Sequence, residues 1–355
     1  MVVEEAERWR REVVVSRPAP GAAGFEGAQP SGNAGASGKA GAQASAFEPF
    51  SALVTIPFGK SHLMFADISP DGSWVVAASD AEGIVRQYDA HTGKLLHQLA
   101  APGFEPFGRA SFGTWPLADN EPLVLEIDER GHHLLDLERG TVTELDSAPG
   151  WVVRTSESGR LLGSMLAQIP AQVSLLRFAR PTSRPSLEPL LHIVLAERAD
   201  DWVLSRDERW LALLFYPSNQ IEVIDLVEQR VVRVLDAPEY AASMDVTPDE
   251  RYLAVGGAAV WVYDLETGER TAKETRFDNN VGQVTFSPGG ETLVVTAYDG
   301  RARSFAFAGG ELGERQVLAH RGRANVYAAE LSADGKRLVT SSGDQTLKVW
   351  QRQAR

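Results

Sequence analysis

Apolar residues along this chain fall into short runs, some alternating with polar residues and some continuous, each broken by a small polar turn. One phrase of this kind returns: an apolar run, a turn, a second apolar run. It is clearest at 65–78 (FADISPDGSWVVAA), 244–255 (MDVTPDERYLAV), 284–295 (VTFSPGGETLVV) and 329–339 (AELSADGKRLV). Weaker copies centre on Asp119, Ser158 and Asp207. Runs rich in Val, Leu, Phe and Trp suit pleated strands. Pro-Asp-Gly between them supplies a fixed φ, a side chain that hydrogen-bonds to backbone, and a residue tolerant of positive φ. Each phrase therefore predicts a β-hairpin. The turn centres, at 71, 119, 158, 207, 249, 289 and 334, lie 39 to 49 residues apart.

A second turn follows each hairpin. It reads Tyr88-Asp89-Ala90-His91-Thr92-Gly93 in the first copy and Tyr263-Asp264-Leu265-Glu266-Thr267-Gly268 in the fifth, with looser versions at 135–140 and 224–229. Each unit thus has four strands, and a period of about 40–45 residues is that of four-stranded propeller blades. Over about residues 52–351 the pattern resembles WD40 repeats, and the last copy matches best. His320, Ser341, Asp344 and Trp350 stand where that family places a hydrogen-bonded His–Ser–Asp–Trp tetrad. The resemblance implies that the tetrad ties the loop entering a blade to the turn between its second and third strands. In the first copy only His62, Ser79 and Asp80 are near, with Tyr88 in the tryptophan position. Copies two, three and six largely lose the pattern, and 219–225 in the fourth also resembles YVTN repeats of bacterial propellers. The seventh copy stops after its third strand, while an orphan apolar segment at 53–57 precedes the first copy. In WD40 propellers an N-terminal strand completes the last blade. The expected fold is therefore all-β, a seven-bladed β-propeller of four-stranded blades whose last blade is closed by an N-terminal strand.

Ahead of the propeller, expected over 50–355, two segments differ in composition. Residues 18–49 are dominated by Gly, Ala, Ser, Pro and Gln, so ordering them would cost backbone entropy with little to bury. They read as a disordered linker. In the charged segment 1–17, Val2, Ala6, Trp9 and Val13 fall near helical spacing. That predicts either a frayed start or a short helix that docks in a partner's groove.

Charge narrows the partners. With 48 acidic against 35 basic residues the net charge is −13, so phosphate backbones and acidic membrane surfaces would meet an opposing field. No apolar run approaches the roughly 18–20 residues needed to cross a bilayer. Residues 1–15 carry Glu4, Glu5, Glu7, Arg8, Arg10 and Arg11, which interrupt any secretory apolar stretch. Neither nucleic acid nor membrane is expected as a partner, and the expected location is cytoplasmic. The absence of cysteine removes disulfides, thiolate nucleophiles and Cys-based metal sites. The seven histidines show no HExxH or His-x-His spacing, and adjacent His132 and His133 point to opposite faces of a predicted strand. There is no Gly-x-Ser-x-Gly elbow, and the glycines at 309, 310 and 313 lack the strand-to-helix context of a phosphate loop. No metal, cofactor or catalytic residue is expected.

The resemblance implies a non-catalytic scaffold for protein–protein interactions, a monomeric propeller within a complex, binding another protein or a peptide. The alternative is a propeller enzyme, lactonase-like or another hydrolase, with its site at the central channel. In WD40 proteins the usual partner surface is the narrow face lined by the loops entering each blade and those between strands two and three. Mapped here, it comprises Phe104 and Phe107 before blade two, Tyr240 before blade five, and Phe277 and Asn279 before blade six. Arg323 and Asn325 precede blade seven, while Tyr216 and Tyr298 lie in or beside between-strand loops. Aromatic and arginine side chains are the usual interface anchors.

Overall fold

The alternating runs become strands that pair with their sequence neighbours. The computed structural model describes residues 12–14, 48–59, 63–79, 83–100, 111–114, 123–128, 131–145, 152–155, 161–166, 171–179, 186–195 and 197–353. These residues form seven β-sheets, antiparallel throughout except for one added strand. In chain order the sheets run over 63–100, 111–145, 152–195, 198–236, 243–274, 281–319 and 326–352. The first six each have four consecutive strands in sequence order. The seventh has three of its own, Val326–Leu331, Arg337–Ser342 and Thr346–Arg352. Its fourth is Phe50–Pro57, which pairs antiparallel with Thr346–Arg352.

That early strand begins three residues before the apolar run at 53–57, and its ends are held by the last sheets. Gln316 brackets Phe50, its Oε1 accepting from the Phe50 amide at 2.7 Å and its Nε2 donating to the Phe50 carbonyl at 2.6 Å. The Phe58 amide donates to the Gln345 carbonyl at 3.0 Å.

Second strands are buried on both faces, as in Tyr252–Gly256 and Thr292–Ala297. Fourth strands such as Leu95–Ala100 are mostly exposed. Sheets that stack face to face produce this gradient, and the cores lie between them. Trp74, Val76 and Val85 of the first sheet pack with Val124 and Leu135 of the second. Successive clusters then join sheets three and four, four and five, five and six, and six and seven. Another joins Val339, Leu347, Val349 and Ile56 of the seventh sheet to Ala66, Val75 and Tyr88 of the first. First strands also touch between neighbouring sheets, including the second with the third.

Two local devices repeat. In the first hairpin Ser69 Oγ donates to Asp71 at 2.8 Å and accepts from the Trp74 amide at 3.0 Å. Ser205 with Asp207, Thr247 with Asp249, and Ser332 with Asp334 do the same. The second device links sheets. Asp201 accepts from the Met244 amide and Asp245 from the Phe286 amide, both at 2.6 Å, and Gln283 from the Ala329 amide at 2.9 Å. A side chain on one first strand thereby satisfies a backbone donor on the next, as buried backbone requires.

Near the N-terminus the structure departs from the helical spacing. Glu12–Val14 is a strand, paired parallel with Ser186–Leu195 at the edge of the third sheet. The run Val13-Val14-Val15 is β-branched and favours extended backbone, and an open edge offers it hydrogen bonds. The rest of segments 1–17 and 18–47 lies outside the described residues.

Candidate functional site

In the fifth, sixth and seventh sheets, the loop entering the first strand and the loop joining strands two and three share one end. Backbone bonds tie them together: Ala258 N to Glu239 O at 2.7 Å, Tyr298 N to Asn280 O at 2.9 Å, and Gly343 N to Asn325 O at 2.8 Å. Neighbouring sheets are joined here as well. The Val281 amide reaches the Gly257 carbonyl at 2.8 Å. Gly300, at φ +87°, lies so near Arg323 that a Cβ would stand 2.8 Å from its Cα, so no other residue fits without displacement.

The candidate partner residues separate by exposure. Tyr216 is 51% exposed and Tyr240 64%. Phe277 is half-buried, packed on the core between sheets five and six with the Arg303 guanidinium 4.9 Å from its ring centre. Asn279 is exposed and donates to the Tyr298 carbonyl at 3.2 Å, while the half-buried Tyr298 ring sits 6.0 Å from that of Tyr327. Arg323 is exposed, and Asn325 is half-buried. Phe277, Asn279 and Tyr298 are thus brought together at the sixth sheet, next to the loop of Arg323 and Asn325. Phe104 and Phe107 lie outside the described residues, as do His62 and Asp80.

In the seventh sheet the expected tetrad changes one member. His320 Nδ1 lies 3.3 Å from Asp344 Oδ2, and Nε2 lies 2.8 Å from the hydroxyl of Thr340. Trp350 Nε1 donates to that same hydroxyl at 2.9 Å. The network assigns the tautomer: Nδ1–H faces the carboxylate, and Nε2 accepts from Thr340. Ser341, the residue expected from the sequence, is not in this chain of bonds. As the next residue along a strand it points to the opposite face, where its Oγ accepts from the Ala328 amide at 3.2 Å. Asp344 also accepts from the Arg321 amide at 2.8 Å and the Thr346 hydroxyl at 2.7 Å. Burial pushes its pKa up, but the bonds from His320, Thr346 and Arg321 outweigh burial and hold it well below the usual carboxylate range.

The sixth sheet holds a group that the sequence reading missed. Asp299, in the same turn position as Asp344, accepts from the Asp278 amide at 3.2 Å and from Arg303 at 2.5 and 3.2 Å. The ion pair is buried, its side chains 3% and 1% exposed. Burial raises the Asp299 pKa, and the bonds from Arg303 and the Asp278 amide more than reverse that. Phe277 takes the place of His320. Beside it lies a cavity of about 600 Å³ lined by Arg276, Phe277, Asp278, Arg301, Arg303, Arg315 and Val317. Among the described residues no three His, Asp or Glu side chains gather as a metal site, and no helix is long and apolar enough to cross a membrane.

Comparison with known proteins agrees with the geometry of the last sheet. The family described as "WD domain, G-beta repeat" matches residues 314–351, from the outer strand of the sixth sheet through the third strand of the seventh. U3 small nucleolar RNA-associated protein 12 of Saccharomyces cerevisiae is 30% identical over 112 residues. That match covers 30% of this chain and 11% of the yeast protein. The chain therefore carries a WD40 repeat, at residues 314–351, built around the His320–Asp344 bond.

Proposed function

We propose that the seven sheets are the blades of one closed β-propeller, and that it works as a non-catalytic scaffold. It recruits a protein or peptide partner through the loop-lined end of its blades. The WD40 repeat supports a protein-interaction scaffold in general, as that family mostly lacks catalytic activity. Closure is supported by the core shared between the seventh sheet and the first, and by Phe50–Pro57 in the place of the missing last strand. The observation that carries the partner reading is the exposure of Tyr216, at the end of the strand Trp210–Tyr216, and of Tyr240, on a loop fixed by backbone hydrogen bonds. A large aromatic side chain held exposed on a rigid loop gains most by burial against a partner. The segments 1–17 and 18–49 are then a tethered end and its linker, and the protein works in the cytoplasm. The yeast relative's name ties that protein to a nucleolar RNA, and fractionation of the host distinguishes the two locations.

The test uses tagged full-length protein purified from its own host, a form lacking residues 1–46, and a form carrying Tyr240→Glu and Arg323→Glu. Each partner identified by mass spectrometry is then purified and recombined with all three. A stoichiometric partner that binds the first two and not the third is the expected result. A partner indifferent to the two substitutions, or lost with the N-terminal truncation, overturns the reading.

A further inference from the structure

The cavity beside the sixth blade is basic in an acidic chain. Arg301 and Arg303 alternate on one face of Arg301–Ala308, the face that also carries the core residue Phe305. Across the sheet, Val317 is paired with Arg303 and Arg315 with Phe305, so directly opposite residues bring all of these side chains to that face. The loop before the sheet adds Arg276, Phe277 and Asp278 at its end. Four guanidiniums thereby line one concavity, in a molecule of net charge −13.

Their commitments differ. Arg303 is fully engaged by Asp299 beneath the surface, although its Nε is buried with no hydrogen-bond partner among the described residues. Arg276 rests on the buried carboxylate of Glu274. Arg301 meets Asp278 at 3.1 Å, but these side chains are 43% and 67% exposed, and such pairs are weak and exchangeable. Arg315 is exposed and forms no salt bridge among the described residues, its charge only reaching the Glu274 carboxylate that Arg276 holds. Val317, 46% exposed, and the ring of Phe277 give the same cavity an apolar wall. The volume lies within the range of about 300–1,000 Å³ typical of ligand sites, several times what one small anion occupies.

We propose that this cavity recognises an acidic peptide segment of the partner, with carboxylates on Arg315 and Arg301 and an apolar side chain between Phe277 and Val317. Guanidinium forks match carboxylates in plane and in spacing, so the charges orient the segment and the apolar wall adds contact area. Asp278 is the internal competitor: an incoming carboxylate displaces it from Arg301. The inference rests on the scaffold reading and names the chemistry of its partner.

The experiment is fluorescence anisotropy on the purified full-length chain with a labelled peptide alternating Glu and Val. Its Gln-for-Glu counterpart and a single-stranded RNA of equal charge serve as comparison probes. The Glu peptide is expected to bind about tenfold tighter than the Gln peptide, the size of one or two charge-assisted hydrogen bonds. Arg315→Gln is expected to weaken it about tenfold. Asp278→Asn is expected to tighten it about threefold, which a merely structural role for Asp278 would not do. Both sites are exposed, so melting temperatures are expected to stay unchanged. Equal binding of the two peptides, insensitivity to Arg315→Gln, weakening by Asp278→Asn, or a preference for RNA overturns the proposal. Because the assay needs no natural partner, such a failure leaves the Tyr240 and Arg323 test of the scaffold standing on its own.

Discussion

In the seventh sheet, Asp344 takes the amide of Arg321 and is satisfied by a histidine from the entering loop. In the sixth, Asp299 takes the amide of Asp278 at the same position but is satisfied by Arg303, from the third strand. The requirement common to both is an acceptor in the turn that fixes the entering loop. Which donor completes it is free to vary. A histidine reaching in from the loop fills the space above the strand and extends the bond chain to Thr340 and Trp350. An arginine reaching from below leaves the loop position to Phe277, and the cavity opens beside it. Variation at this structural joint goes with a pocket lined by cations at the end of the sixth sheet.

The two joints also differ in energetic character. Arg303→Met leaves Asp299 buried without its cation and is expected to cost about 3–5 kcal/mol by urea denaturation. Adding Asp299→Asn should recover most of that loss, because the pair's net worth is far smaller than the penalty of breaking it. A double variant as unstable as the single one would mean that Arg303 acts through packing on Phe277.

Imposing the sixth sheet's solution on the seventh gives the next largest effect. His320→Phe removes the donor to Asp344 and strands the Thr340 hydroxyl, for an expected loss of about 1–3 kcal/mol. Thr340→Val and Ser341→Ala each remove one buried acceptor and should cost similar amounts. They separate by nuclear magnetic resonance: the Trp350 indole N–H signal shifts with Thr340→Val and stays in place with Ser341→Ala.

Acid gives the mildest contrast, since it is without effect at neutral pH. Asp344 and Asp299 both have folded-state pKa values below their unfolded ones. Their contribution is present above the ordinary carboxylate pKa, near pH 4, and is lost as pH falls through the lowered values. Asp344→Asn, already without that contribution, should show a shallower fall in stability between about pH 4 and pH 2 in a series of urea titrations.

What the sequence revealed, and what it hid, follows the range of the forces involved. Hairpins were legible because a strand's period and a Pro-Asp-Gly turn are local, and even the weak copies around Asp119 and Ser158 are flanked by antiparallel strand pairs. The early strand was legible because it had no local partner. Glu12–Val14 was not legible as a strand, because its partner lies some 180 residues away and three residues carry no periodicity of their own. Thr340 and Ser341 are both hydroxyls, so composition could not rank them. The bulge between Val326 and Ala328 breaks the regular pairing of the preceding strand at this end, so alternation could not be carried across from it. Arg303 and Asp299 were overlooked because the family's pattern offers no arginine there. Only the alternation of Arg301, Arg303 and Phe305 marked the two arginines as sharing a face with a core residue.

The proposed closure of the ring rests on Phe50–Pro57 meeting the last strand, Thr346–Arg352. The chain has no cysteine, so Thr55→Cys with Lys348→Cys, positions directly opposed in register, supplies a single possible disulfide. Mild oxidation is expected to form it within one molecule. Closing so long a loop should raise stability by roughly 4–5 kcal/mol over the reduced form, read from guanidinium denaturation. Thiols that stay free and reactive, or an oxidised form no more stable than the reduced one, contradict closure by the N-terminal strand.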